Sequence, residues 1–204
     1  MNSPIAITLS SFKGGVGKTT SSICLATLCS EHGKTLLIDS DPNRSASMWA
    51  RQGNLPFQTA TEITAHKLTS KERFDFLIID TPARPTEDDL QELIESCHLL
   101  IIPVTPDAMS IDALGTMAKK LPKDSNFRIL LNMIPPPPQK DGQETYQLLR
   151  EMGYPVLDRG IRFYKAYKNA AAYGKPIYKV QGGKIAWRDW TELVKTQPLQ
   201  SLLS

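Results

Sequence analysis

Cysteine and long apolar runs are both scarce in this sequence of 204 residues. None of its three cysteines forms a Cys-x-x-Cys pair, so the pattern favours neither a disulfide framework nor a zinc site, and a reducing cytoplasm fits best. The longest apolar runs, such as residues 99–102, are too short to span a bilayer. We also expect no leader peptide, because a glycine-rich loop starts by residue 14. The sequence therefore predicts a soluble, cytoplasmic, globular protein.

Acidic residues are missing from one stretch of the chain. Seven basic residues and no Asp or Glu lie between Arg159 and Lys184, whereas the rest of the chain holds 17 basic and 21 acidic residues. This asymmetry indicates a polyanionic partner, although a solvated face of a surface helix would show the same charge run. If residues 161–173 form a helix, three of the cations lie on one of its faces at steps of three. The candidate phosphate-contacting residues are Arg159, Arg162, Lys165, Lys168, Lys175 and Lys179.

Short apolar runs alternate with helical patterns along the first three-quarters of the chain. The predicted strands are residues 5–12, 35–41, 74–81, 99–105 and 127–134. The predicted helices are residues 18–31, 87–96, 107–120 and 142–152. Strands that are apolar on both faces and separated by helices indicate an α/β fold, with a doubly wound, mostly parallel sheet and helices on both faces. Ligands bind such sheets beyond the carboxyl ends of the strands, where Asp39, Asp41, Asp80 and Thr81 fall.

A glycine-rich phosphate-binding loop, "KGGVGKTT", follows the first predicted strand. Phe12 stands where the usual pattern has its leading glycine, and Lys13 is an additional lysine. Glycines let backbone N–H groups converge on phosphate oxygens, and the following helix adds the positive end of its dipole. We expect Lys18 to neutralise the β- and γ-phosphates, the Thr19 hydroxyl to ligate Mg²⁺ and Thr20 to hold the α-phosphate. The predicted nucleotide-binding residues of the loop are Gly14, Gly15, Val16, Gly17, Lys18, Thr19 and Thr20.

Two acidic strand ends supply the other groups that hydrolysis needs. Asp80 follows a four-residue apolar run, which is where a Mg²⁺-positioning aspartate belongs. Asp39 and Asp41 are two residues apart and hence on the same side of a strand, where a carboxylate could orient or deprotonate water. A helix N-cap and a salt bridge are the structural alternatives for these two residues.

At these motifs the sequence resembles the deviant P-loop ATPases of the ParA/MinD family. The resembling segments are spread over about the first two-thirds of the chain, and they are residues 13–20, 36–50, 74–83, 101–114 and 130–135. The resemblance implies a P-loop NTPase of the deviant Walker A type that binds ATP and Mg²⁺ and hydrolyses ATP slowly on its own. It also implies that Lys13 reaches the partner's phosphates across an ATP homodimer, and that Asp41 activates water. Asp39 and Asp80 would support the metal, and Asn132 would recognise adenine.

Within this family the sequence is similar to the short plasmid-partition and cargo-positioning ATPases. The similarity lies in "DPNRSASMWA" (41–50) and "PVTPDAMSIDAL" (103–114), although Asn43 replaces the common Gln. It implies a nucleoid-associated ATP homodimer that binds nonspecific DNA through the basic segment, and a centromere- or cargo-binding partner protein that stimulates hydrolysis. Because the first strand begins at residue 5, we expect no N-terminal helix-turn-helix and no operator-specific repression.

Two other functions stay open at this level. A MinD-like division-site ATPase would bind the membrane, but Asp189 and Glu192 make residues 184–195 a poor membrane helix, so we expect it to dock on the core and expect no membrane partner. A metabolic P-loop enzyme is the other alternative, although Cys97 alone cannot supply the paired ligands of a bridging iron–sulfur cluster. We predict one P-loop ATPase domain over residues 1–204, with a basic, helical portion at about 159–195.

Overall fold

A parallel sheet of six strands forms the centre of the molecule. The computed structural model describes residues 3–122 and 125–203, so the ends of the predicted 1–204 domain and residues 123–124 lie outside the described residues. The strands are β1 (Ile5–Ser11), β2 (Thr35–Asp39), β3 (Gln58–Thr61), β4 (Phe76–Ala83), β5 (Leu99–Val104) and β6 (Phe127–Leu131). They lie in the order β3-β2-β4-β1-β5-β6, and every neighbouring pair is parallel. The predicted parallel α/β sheet is therefore confirmed.

Helices cover both faces of this sheet. The helices are α1 (Lys18–Cys29), α2 (Ser45–Arg51), α3 (Glu62–Thr69), α4 (Glu87–Ser96), α5 (Ala108–Ala118), α6 (Asp141–Glu151), α7 (Ala166–Ala172), α8 (Gly183–Leu193) and α9 (Leu199–Leu202). Leu9 and Leu37 pack on one face with α1, α2, α7 and α8, in a core that includes the buried Trp190. Leu100 and Ile102 point to the other face, in a core with residues of α4, α5 and α6. No helix in the described ranges is both long and apolar enough to cross a bilayer.

The portion predicted to be basic and helical, at about 159–195, is not helical at its start. A helix over 161–173, on which the shared face of three cations depended, is missing over its first five residues, because α7 begins at Ala166. The chain before it extends alongside the end of β6 and bonds to that segment through its backbone. Ile161 N–H donates to the Leu131 carbonyl at 2.9 Å, and Phe163 N–H donates to the Ile134 carbonyl at 2.9 Å. Arg162 therefore does not share a helical face with Lys165 and Lys168.

The strand predicted over residues 35–41 ends two residues early, at Asp39. Asp41 begins a turn, in which its carbonyl accepts from Arg44 N–H and its Oδ1 atom accepts from Asn43 N–H, each at 2.9 Å. Asp39 and Asp41 thus do not lie on the same side of a strand, as the spacing had suggested. The turn leads into α2, which together with β3 and α3 was not predicted.

Candidate nucleotide-binding site

The glycine-rich loop connects β1 to α1 in a conformation that only glycine adopts readily. Gly15 and Gly17 have φ values of +81° and +84°. A Cβ atom on Gly17 would lie 2.5 Å from Nδ2 of Asn132, so the loop and the end of β6 approach more closely than a side chain allows. The Asn132 amide donates to the Val16 carbonyl at 2.8 Å. Asn132, predicted as an adenine contact, therefore also holds the loop in place.

Lys18 is the buried cation of the site. Its ammonium lies 3.3 Å from Asp41 Oδ2 and 3.3 Å from Asp80 Oδ1, and it also donates to the Thr81 carbonyl. Only 7% of this lysine is exposed. The structure thus brings Lys18, Asp41 and Asp80 together from three separate segments, as the sequence predicts for a hydrolytic site.

Asp80 is fully buried among polar partners. Thr19 Oγ1 donates to Asp80 Oδ2 at 2.7 Å, and Ser22 Oγ donates to Asp80 Oδ1 at 3.0 Å. Burial raises the pKa of the Asp80 carboxyl above its ordinary value, although the Lys18 charge and these hydrogen bonds act in the opposite direction. Asp39 is paired with Asp80 in the strand register, and its Oδ2 atom accepts from Ser47 N–H and Oγ.

These oxygen atoms fit a magnesium ion. Mg²⁺ in nucleotide sites keeps several waters and takes few protein ligands, together with phosphate oxygens. Thr19 Oγ1 and Asp80 adjoin one another, and Oδ1 of Asp39 is buried without a hydrogen-bond partner in the described part of the chain. Over residues 3–122 and 125–203, no group of three or more His, Cys, Asp or Glu side chains is arranged to hold a metal by itself. The donor set therefore suits a metal that arrives with a nucleotide.

Lys13 lies apart from this buried cluster. Its ammonium is 2.7 Å from Asp107 Oδ1, and the two side chains are 30% and 44% exposed. Asp107 is the N-cap of α5 and also accepts from Thr105 Oγ1 at 2.6 Å. Burial acts to raise the pKa of the Asp107 carboxyl, but the hydrogen bonds from Lys13, Thr105 and Ser110 outweigh it and hold this pKa below its ordinary value. Asp107 was not predicted, although a Pro-Asp pair before a helical pattern is typical of an N-cap.

Two adjoining cavities lie over the loop. The first, of about 360 Å³, is lined by the loop residues with Asp41 and Asn43. The second, of about 200 Å³, is the more enclosed and apolar of the two, and its lining includes Gly17, Thr20, Asn132, Met133, Phe163 and Tyr164. Larger cavities of about 520 and 550 Å³ are lined by other segments, so size alone does not identify the site. We call the first, which the loop lines, the phosphate cavity and the second the base cavity, after the parts of a nucleotide that the predicted site would place there.

The basic segment is exposed, but its cations differ in their surroundings. All six predicted phosphate-contacting residues are exposed. Arg162 is paired with the buried Asp189 of α8, and the Lys175 ammonium lies 5.8 Å from the ring centre of Tyr173. Within the described residues, no acidic side chain pairs with Lys165, Lys168 or Lys179. These lysines are the ones free to contact an anion.

Comparison with known proteins gives a family for this arrangement. The sequence model of the family described as "CobQ/CobB/MinD/ParA nucleotide binding domain" matches residues 7–177 of this chain. A maintenance of carboxysome distribution protein A from Gloeobacter kilaueensis is 31% identical over 186 residues, covering 88% of this chain and 86% of the relative. An ATP complex of an McdA variant from Cyanothece has a similar fold, with a TM-score of 0.75 at 16% identity over 95% of this chain and 96% of that chain. A putative plasmid partition protein from Borrelia burgdorferi, bound to AMPPNP, has a TM-score of 0.70 at 19% identity over 94% of this chain and 98% of that chain.

Proposed function

We propose that this chain, which belongs to the CobQ/CobB/MinD/ParA family of nucleotide-binding domains, is an ATP-dependent switch that positions a cargo on DNA. In this proposal the ATP-bound form is a homodimer that binds nonspecific DNA. A partner protein attached to the cargo stimulates hydrolysis and so releases the dimer. The names of the relatives, one for carboxysome distribution and one for plasmid partition, support a positioning role.

The contrast between the two loop lysines carries the proposal. Lys18 is buried against Asp41 and Asp80 and serves the nucleotide of its own chain. Lys13 is partly exposed and has one carboxylate partner, Asp107, in an ion pair that a triphosphate can replace. A cation supplied in trans stabilises the charge that develops on a transferring phosphoryl group, as an arginine finger does. Dimerisation then depends on ATP, because ADP has one phosphate fewer for Lys13 to bind.

Hydrolysis is assigned to the residues around Lys18. Asp41 lines the phosphate cavity and is the candidate for orienting or deprotonating the attacking water. Mg²⁺, when bound, neutralises phosphate charge, and Thr19, Asp80 and Asp39 are the residues that would hold it and its waters. The base lies in the base cavity beside Asn132. We also propose that the chain works as one domain, because Trp190 of α8 shares a core with α1.

DNA binding is assigned to four lysines of the basic segment and to Arg159. Lys165 and Lys168 lie at the start of α7, and Lys175 and Lys179 follow that helix. A dimer doubles this set of charges, and the cations release counterions from DNA when they bind. A protein of this kind would reside in the cytoplasm on the nucleoid.

An electrophoretic shift assay with ATP, with ADP and without nucleotide tests the proposal. We expect a DNA complex in the presence of ATP, and none with ADP or without nucleotide. Each phosphate contact should add about 0.9 to the steepness of the fall of log affinity with log salt concentration. Neutralising Lys165 and Lys179, which line neither the phosphate cavity nor the base cavity, should lower that slope and spare ATP binding. Lys67 and Lys71 are exposed and are carried by α3 and the turn after it, so their neutralisation is the matched control. Equal DNA binding with ATP, with ADP and without nucleotide would overturn the proposal.

A further inference from the structure

Arg162 of the basic segment is held in a well-ordered ion pair with Asp189 of α8. The Asp189 carboxylate accepts from the Arg162 guanidinium through Nε, at 3.1 and 3.2 Å, and through Nη2, at 2.5 Å. The backbone N–H of Arg162 donates to the same carboxylate at 3.0 Å. Asp189 is only 8% exposed, whereas both partners of the Arg150–Asp158 pair are more than half exposed. The fork geometry and the burial of Asp189 make this ion pair more constrained than the exposed Arg150–Asp158 pair that precedes the segment.

The pair fixes a stretch of chain that lines the base cavity. Ile161, Arg162, Phe163 and Tyr164 all line the base cavity, which lies over Gly17 and Thr20 of the phosphate loop. This stretch is extended rather than helical, so it lacks hydrogen bonds of its own and depends on its neighbours. On one side it bonds to the backbone of Leu131 and Ile134, and on the other side Asp189 fastens it to α8.

We propose that Asp189 is a positioning residue for the nucleobase, because through Arg162 it holds Phe163 and Tyr164 at the wall of the base cavity. The inference rests on the proposed function, since it takes ATP as the ligand and the base as the occupant of this cavity. It assigns Arg162, which the sequence had suggested for DNA, to the nucleotide instead. The raised pKa of the Arg162 guanidinium, caused first by its hydrogen bonding to Asp189, agrees with a permanently charged clamp.

Binding of ATP and of inorganic tripolyphosphate, each measured by calorimetry with Mg²⁺, tests this role. Both ligands use the phosphate loop, but only ATP fills the base cavity. For the wild-type protein we expect ATP to bind more tightly than tripolyphosphate. Asp189→Asn should raise the Kd of ATP about tenfold, which corresponds to the loss of one charged hydrogen-bonded contact. The Kd of tripolyphosphate should stay within about twofold of the wild-type value.

The control is Asp158→Asn, which breaks the neighbouring exposed pair and should change neither Kd. Arg162→Lys keeps the positive charge but loses the two-pronged geometry of the guanidinium. It should therefore raise the Kd of ATP by less than Asp189→Asn does, and it should leave the Kd of tripolyphosphate unchanged. It also serves as the second variant if Asp189→Asn does not fold, since the Arg162 side chain is 46% exposed.

The outcomes separate this inference from the proposed function. Suppose that the wild-type protein binds ATP more tightly than tripolyphosphate. If the variants then raise the Kd of both ligands equally, or raise neither Kd, the positioning role is refuted and the proposed function stands. If the wild-type protein binds the two ligands equally, the base does not occupy this cavity. The nucleotide placement of the proposed function is then wrong, and this inference is wrong with it.

Discussion

Replacing Lys13 by alanine separates the two roles assigned to the lysines of the phosphate loop. The pair that Lys13 forms with Asp107 is 2.7 Å long, and its side chains are 30% and 44% exposed. Ion pairs as exposed as this one contribute about 0–1 kcal/mol to stability. In a chain of this size, a loss of 1 kcal/mol lowers the melting temperature by about 2–4 °C. Lys13→Ala should therefore fold and melt within a few degrees of the wild-type protein.

The effect on assembly should be much larger than the effect on stability. Lys18 and the loop backbone remain, so ATP should still bind with much of the wild-type affinity. Without a trans cation the variant should stay monomeric with ATP, as measured by light scattering after size exclusion. Cations supplied in trans are worth about 10³–10⁵ in kcat for related phosphoryl transfers, so hydrolysis should fall to background. Normal ATP-dependent dimerisation of Lys13→Ala would refute the assignment.

Asp107→Asn is the matched control, because it removes the same ion pair from the other side. It leaves the Lys13 ammonium present and free of its partner on α5. If the ion pair itself were needed for dimerisation, both variants would fail to dimerise. If the ammonium is needed, Asp107→Asn should dimerise at the same ATP concentration as the wild-type protein or at a lower one, since Lys13 no longer has to leave a carboxylate.

Three further outcomes are expected. Asp41→Asn should bind ATP and dimerise but hydrolyse ATP at least about a hundredfold more slowly, because a general base contributes about 10²–10⁴; an unchanged rate would exclude Asp41 as the water-activating residue. Gly17→Ala should abolish nucleotide binding in calorimetry, because φ is +84° there and the new Cβ would lie 2.5 Å from Asn132; wild-type affinity would show that the loop adopts another conformation. In a thiol titration at pH 8, at most Cys97 should react in the folded protein, because burial raises the pKa of Cys29 to about 12 and that of Cys24 even further. All three of the chain's cysteines should react after unfolding.

Local signals made the central part of the site predictable. The phosphate loop is one contiguous motif between a strand and a helix, so it can be recognised in the sequence without knowledge of its distant contacts. The helix over residues 87–96 was predicted to the residue, and the structure shows why: the Thr86 hydroxyl accepts from Asp89 N–H in a capping box. The strand ends that supply Asp39 and Asp80 follow buried apolar runs, which periodicity identifies well.

Contacts between residues that are distant in the chain could not be predicted from the sequence. Lys13 and Asp107 are 94 residues apart, and no periodicity joins them. The strand β3 is a polar, four-residue edge strand, which lacks the apolar run that identified the others. Residues 161–165 lie in the portion that the sequence predicts to be basic and helical, but backbone bonding to Leu131 and Ile134 holds this stretch extended. Tertiary bonding overrode a local pattern in this segment.

The basic segment joins the two proposed ligands, and a coupling between them follows. Phe163 and Tyr164 line the base cavity, whereas Lys165 follows them directly on the exposed surface that we propose binds DNA. Lys168 is exposed on that surface and also lines the cavity. If a bound base restrains the stretch that positions these lysines, ATP and ADP should both favour DNA binding to a small extent before dimerisation, which requires ATP, raises the affinity further. Reciprocity then requires DNA to strengthen ATP binding by the same factor. The monomeric Lys13→Ala variant isolates this coupling: its Kd for ATP should fall when duplex DNA is added, and an unchanged Kd would mean that dimerisation alone connects the two ligands.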